Sequence, residues 1–127
     1  MHDEILQRLV MLFNKRDFAG ASVEAAEGLL LAQGRDEVFW IGLGAACDGY
    51  RCLMAQEPER AEQFFVTAMH NLRNFGFSYQ GFQITGLLAG LRRCAEEIRH
   101  VRGGGKRMFD ITLLPQLKMA EQEQQMV

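Results

Sequence analysis

The chain has 127 residues, 48% of them hydrophobic and 24% charged, with only two prolines. That composition excludes a disordered or collagen-like chain, and the length suits one hydrophobic core with no room for a second domain. A formal net charge of −2 removes any general attraction to nucleic acid or to an anionic membrane, so such contacts would have to be local.

The opening MHDEILQRLVMLF carries Asp3 and Glu4 where a secretory signal would carry basic residues, so no signal peptide is expected. The longest nearly uncharged run, from Val38 to Cys47, stops at Asp48 after about half the length of a bilayer span. Cys47, Cys52 and Cys94 are odd in number and lack Cys-x-x-Cys spacing. They read as reduced core residues of a cytoplasmic protein rather than as a disulfide framework or a zinc site.

From Asp3, the residues Ile5, Leu6, Leu9, Val10, Leu12 and Phe13 recur at three- and four-residue spacing and predict a first helix closing at Asn14-Lys15-Arg16. Asp17 restarts the chain into an alanine-rich second helix for which Gly34 is the expected C-terminal cap. Asp36 is the expected N-cap of a third helix reaching about Ala55. Gly42, Gly44 and Gly49 lie inside it, each costing about 1 kcal/mol relative to alanine. Close helix approach is the favoured offset, with a ligand cleft as the other explanation.

Glu57-Pro58-Glu59 suits the first turn of a fourth helix, whose inward face is Ala61, Phe64, Phe65, Ala68, Met69 and Leu72. Phe75-Gly76-Phe77 ends it, and Ser78 to Phe82 is expected to be a turn. From Gln83, the residues Ile84, Leu87, Leu88, Leu91, Cys94, Ala95 and Ile98 predict a fifth helix. Arg92, Arg93, Glu96, Glu97 and Arg99 fall on its outer side, with Glu96 spaced to pair with Arg99 or His100. Gly103-Gly104-Gly105-Lys106-Arg107 reads as a flexible loop. Residues 108–117 read as an irregular segment laying Phe109, Ile111, Leu113 and Leu114 on the body, and 118–127 as a polar, frayed tail.

The expected class is all-α: a compact bundle of about five helices, built from two antiparallel helical hairpins plus a fifth helix and an irregular C-terminal segment, in one domain over residues 1–117. An internal echo supports the hairpins. Asp17-Phe18 leading to Ala21, and Glu57-Pro58 leading to Ala61, are helix starts spaced like those of helical-hairpin repeats.

Leu12-Phe13-Asn14-Lys15-Arg16-Asp17-Phe18 resembles the opening LFN-x-G-x-[YF] of the small bacterial helical family catalogued as domain of unknown function three hundred and nine. Tyr50-Arg51 stands where that family has Tyr-His, Pro58-Glu59-Arg60-Ala61 stands at its "GA" helix, and Tyr79 to Ile84 looks like its later helix start. The family's HExxE segment falls near Ser22 to Glu27, where Glu24 and Glu27 align but the histidine is missing. The resemblance implies a helical fold and a degenerate member lacking whatever that histidine does.

Candidate site residues carry competing readings. Glu24 and Glu27 share a helix face and could act as a carboxylate pair or hold a cation, although a solvated face is the commoner outcome. Asp48 in the glycine-rich helix needs a partner, and Arg51 is the nearest; a structural ion pair is favoured over an acid–base site. His70 suits a helix C-terminus better than a metal set. Asn14 joins these as a family-signature position. Arg92, Arg93, Arg99, Arg102, Lys106 and Arg107 form the basic stretch, read as a solvated helix end or as a docking patch for an acidic partner.

The favoured function is a non-catalytic helical domain that binds a protein partner or forms a homo-oligomer such as a dimer, with no cofactor, metal, nucleic acid or membrane. The alternative is a small-ligand or metal-dependent enzyme with a carboxylate/arginine pocket between helices two and three. Nucleic-acid binding through the basic stretch is a third reading.

Overall fold

A computed structural model describes residues 2–103 and 111–119. Five helices run α1 (His2–Asn14), α2 (Phe18–Leu31), α3 (Arg35–Met54), α4 (Pro58–Leu72) and α5 (Ile84–Arg102). A short antiparallel hairpin of β1 (Ser78–Tyr79) and β2 (Phe82–Gln83) precedes α5, and one 3₁₀ turn spans Ile111–Leu113. The class is all-α, and the helices pack in chain order, each on the next. Among the described residues no helix is long and apolar enough to cross a membrane.

The two hairpins repeat one another with an offset of 40 positions. Ile5, Leu6, Leu9 and Phe13 are buried, as are Ala45, Ala46, Gly49 and Leu53; Ala21, Ala25, Gly28 and Ala32 likewise match Ala61, Phe65, Ala68 and Leu72. The turns match as well. Asp17 N donates to Leu12 O at 2.9 Å, and Glu57 N to Cys52 O at 2.9 Å. Arg16 and Gln56 take positive φ, 69° and 63°. This is the Schellman ending, in which a left-handed residue lets the chain reverse while capping the last carbonyls.

Tyr50 is the point at which all five helices meet. Its ring is edge-on to Phe13 of α1 at 5.2 Å, stacked on Phe18 of α2 at 5.6 Å, and tilted against Phe65 of α4 at 4.7 Å. Its hydroxyl donates to Cys94 Sγ of α5 at 3.6 Å. Gly49 and Gly42 are glycine for the reason expected: a Cβ at 49 would lie 2.5 Å from the Phe65 ring, and one at 42 would lie 2.7 Å from Leu72. A second aromatic cluster of Phe39, Phe75, Tyr79 and Phe82 closes the other end.

Several expectations change. Gly34 is not the cap of α2, which ends on Ala32; at φ 62° it instead precedes α3. Helix α3 therefore starts early enough to place Asp36 inside its first turn, where the carboxylate accepts from the Tyr79 hydroxyl and from Gln80 Nε2. The expected turn at Ser78 to Phe82 is a β-hairpin, with Gln80 and Gly81 both at positive φ as a two-residue connection requires. Glu97 is buried rather than outward. It continues the stripe of Gly90 and Cys94, which the C-terminal segment covers through Pro115 and Leu113.

The C-terminal segment does lie back on the body, burying Leu114 and Leu117. It stays attached through Met119, two residues past the expected domain end: Gln83 N donates to Lys118 O at 3.0 Å, and Phe82 bridges to Met119. Phe109, the run from Gly104 to Arg107, and positions 120–127 lie outside the described residues.

Candidate functional site

The expected carboxylates and histidine do not converge. Glu24 is held by Arg8 of α1, Nε to Oε1 at 3.0 Å, whereas Glu27 is exposed and makes no ion pair with a described residue. Asp48 does pair with Arg51 at 3.3 Å, and the same oxygen accepts from Ser22 Oγ of α2 at 2.5 Å. His70 is exposed near the end of α4 and lines neither Asp48 nor Glu24. Among the described residues no group of three or more His, Cys, Asp or Glu side chains could hold a metal ion.

Asn14 serves the fold. Its Nδ2 donates to Leu117 O at 3.0 Å and its Oδ1 accepts from Leu117 N at 2.8 Å. Arg16 continues the grip, donating to Pro115 O at 2.8 Å and Leu114 O at 3.2 Å. Its backbone is left-handed, at φ 69°, and the sequence had placed Arg16 only at the close of α1, not on the C-terminal segment.

A groove of about 330 Å³ runs between α2, α3 and α4. Small residues make its floor: a Cβ at Gly44 would sit at ordinary contact, 3.4 Å, from Ala25. Leu29 and Ile41 form apolar walls, Phe64 and Thr67 face them from α4, and Asp48 with Ser22 supplies the polar end. Trp40, the only tryptophan, lies along the groove with its benzo ring against Gly28, where a Cβ would fall 2.5 Å away. Its Nε1 is buried without a partner among the described residues. Burial pushes the neighbouring Cys47 thiol up, with the Asp48 charge adding to it, so this thiol is a packing residue rather than a nucleophile. The groove offers apolar surface with one polar end, where Ser22 donates to Asp48, a carboxylate also paired with Arg51.

Beside it, α2 leaves an apolar stripe uncovered. Ala19, Val23, Ala26 and Leu30 recur at helical spacing on its outer side, with Val23 58% and Leu30 85% exposed. Only Glu24 and Glu27 are charged in the whole helix.

The basic stretch is divided. Arg99 reaches across to Glu62 at 2.8 Å rather than along its own helix to Glu96, and Arg102 meets the same carboxylate at 2.5 Å. Arg92 and Arg93 are exposed and have no ion-pair partner among the described residues, and Lys106 and Arg107 lie outside those residues. Arg92 instead joins His70 and Arg73 along a shallow depression with Val66, Met69 and Leu88; a second depression adds Arg35 and Val38. Compared with known proteins, the chain matches no family model, no curated protein and no solved structure.

Proposed function

We propose that this protein is a non-catalytic helical-hairpin module that associates with a protein, a second copy of itself included, through the outer face of α2 and the adjoining groove. One observation carries the reading. Helix α2 is strongly apolar, with Glu24 and Glu27 its only charged residues, yet Val23 and Leu30 stand open. Exposed apolar surface at helical spacing is what helix-in-groove recognition uses. We place the module in the cytoplasm, where three buried free thiols fit a reducing compartment. We take it as a degenerate member of the bacterial family that Leu12 to Phe18 resembles.

The test is light scattering at two concentrations, with and without chelator, on the wild type and on Leu30→Glu, combined with a photo-crosslinker at position 30 in cells. A chelator-independent dimer lost in Leu30→Glu, or a specific crosslinked protein absent when the crosslinker is at position 60, supports the reading. A monomer that gives no position-specific crosslink overturns it.

The groove also admits a small-ligand reading, favoured by its apolar lining and by the buried Trp40 Nε1, whose N–H meets no acceptor among the described residues. A saturable change of Trp40 emission on screening small carbonyl compounds supports that reading, and an unresponsive indole removes it.

A further inference from the structure

Charges on this protein are sorted. Arg8, Arg51, Arg60, Arg99 and Arg102 each meet a carboxylate of the fold, whereas Arg73 and Arg92 meet none among the described residues. These two come from the C-cap of α4 and from α5, and His70 lines the same depression. Arg35, from the start of α3, stands at the rim: its guanidinium covers the Phe75 ring at 4.6 Å and donates to Asn74 O at 3.1 Å. No aspartate or glutamate lines either depression. Of the acids on the same elements, Asp36 is engaged by Tyr79 and Gln80 and Glu62 by Arg99 and Arg102, while Glu37, Glu59 and Glu96 are exposed and line neither depression. Between the cations lie Val66, 51% exposed, Val38, 40% exposed, and the partly buried Met69 and Leu88.

We propose that this face binds an acidic amphipathic segment of a protein partner, its carboxylates on Arg73, Arg92 and Arg35 and its aliphatic side chains on Val66, Met69 and Leu88. Charge complementarity selects the occupant. Unneutralised guanidiniums on a chain of net charge −2 form a local positive field, and interleaved apolar surface gives such a segment a reason to stay that a free anion lacks. A nucleic acid fits less well, because the one ring lining the two depressions, Phe75, is buried beneath Arg35, and the exposed Phe77 lines neither of them. From Val66 to Arg73 the α4 wall is about 10 Å long, so the footprint is about two turns of a bound helix. This surface is separate from the α2 face, and either reading stands if the other fails.

The experiment measures fluorescence anisotropy of the full chain with a labelled synthetic peptide of about 14 residues, Leu at helical spacing and Glu at the flanking positions. Polyglutamate and a single-stranded RNA of equal length are the comparison probes. The expected result is saturable binding that weakens as salt rises from about 50 to about 500 mM. Affinity should fall at least about tenfold in Arg73→Glu/Arg92→Glu and stay unchanged in Arg93→Gln. The double variant alters two exposed side chains, and its circular dichroism and melting point check that it folds. The proposal is overturned if the peptide fails to saturate below about 1 mM, if the double variant binds as well as the wild type, or if polyglutamate or RNA binds as tightly as the peptide.

Discussion

Arg16 and Gln56 occupy the same place in the two hairpins, 40 positions apart, both left-handed, at φ 69° and 63°. A left-handed backbone costs a residue with a Cβ about 1 kcal/mol, which is why glycine usually stands there. Arg16 offsets that through two hydrogen bonds to the carbonyls of Leu114 and Pro115, whereas Gln56 is exposed with no such return. Glycine at the two sites should therefore act in opposite directions. Gln56→Gly is expected to raise stability by about 0.5 kcal/mol and Arg16→Gly to lower it by about 1–2 kcal/mol, read from urea midpoints. Equal shifts at both would mean that Arg16 does not hold the C-terminal segment.

Asn14 and Leu117 are joined as two amides are, donor to acceptor in both directions. Asn14→Asp keeps one acceptor but sets a second carboxylate oxygen against the Leu117 carbonyl. It should cost about 1–3 kcal/mol, as leaving a part-buried backbone group unmatched does. Hydrogen exchange should accelerate at 111–119 and remain slow in α3. Unchanged protection over 111–119 would refute the clamp.

The glycines of α2 and α3 differ in what they face. Gly49→Ala and Gly28→Ala press a methyl onto the rings of Phe65 and Trp40 and are expected to destabilise by about 1–3 kcal/mol. Gly44→Ala meets only Ala25 at 3.4 Å and should gain up to about 1 kcal/mol of helix propensity. Denaturant unfolding of the three variants checks the order; a destabilised Gly44→Ala would mean that the groove is tighter than described.

Burial holds the Tyr50 phenol and the Cys47 and Cys94 thiols protonated, raising all three above their ordinary values. The folded state thus retains protons that the unfolded chain releases above about pH 8.5 for a thiol and about pH 10 for a phenol. Their contribution to stability is complete below about pH 8.5 and is lost as pH rises beyond it. Unfolding midpoints between about pH 7 and 11 should decline at the alkaline end, and Tyr50→Phe should flatten the part above about pH 10. An unchanged slope in that variant would show that the phenol is not the group responsible. Cys47, Cys52 and Cys94 are all buried, so a thiol reagent should label them only at the rate of unfolding.

Much of the site was not readable along the chain. Asp48 and Arg51 are one helical turn apart, and their pairing follows from spacing alone; Ser22, the third member, joins only because α2 packs on α3. Arg99 and Arg102 looked available, and they are taken by Glu62 of α4, 37 and 40 positions away. The α2 stripe carried a signal in its composition, since a helix with only two charged residues predicts cover over most of its surface. The sequence could not say which side the rest of the chain would leave bare.

The residues by themselves determined five helices, their inward faces, the Asp17 and Pro58 starts and the 40-position repeat, because each is set by neighbours within a turn or two. Only the tertiary structure decided that Asn14 and Arg16 grip the C-terminal segment and that Arg35, Arg73 and Arg92 gather on one face. It also turned Glu97 inward. Those outcomes join positions roughly 20 to 100 residues apart, and no local periodicity encodes such meetings; they follow from how the helices pack around Tyr50 and from where the returning chain lies.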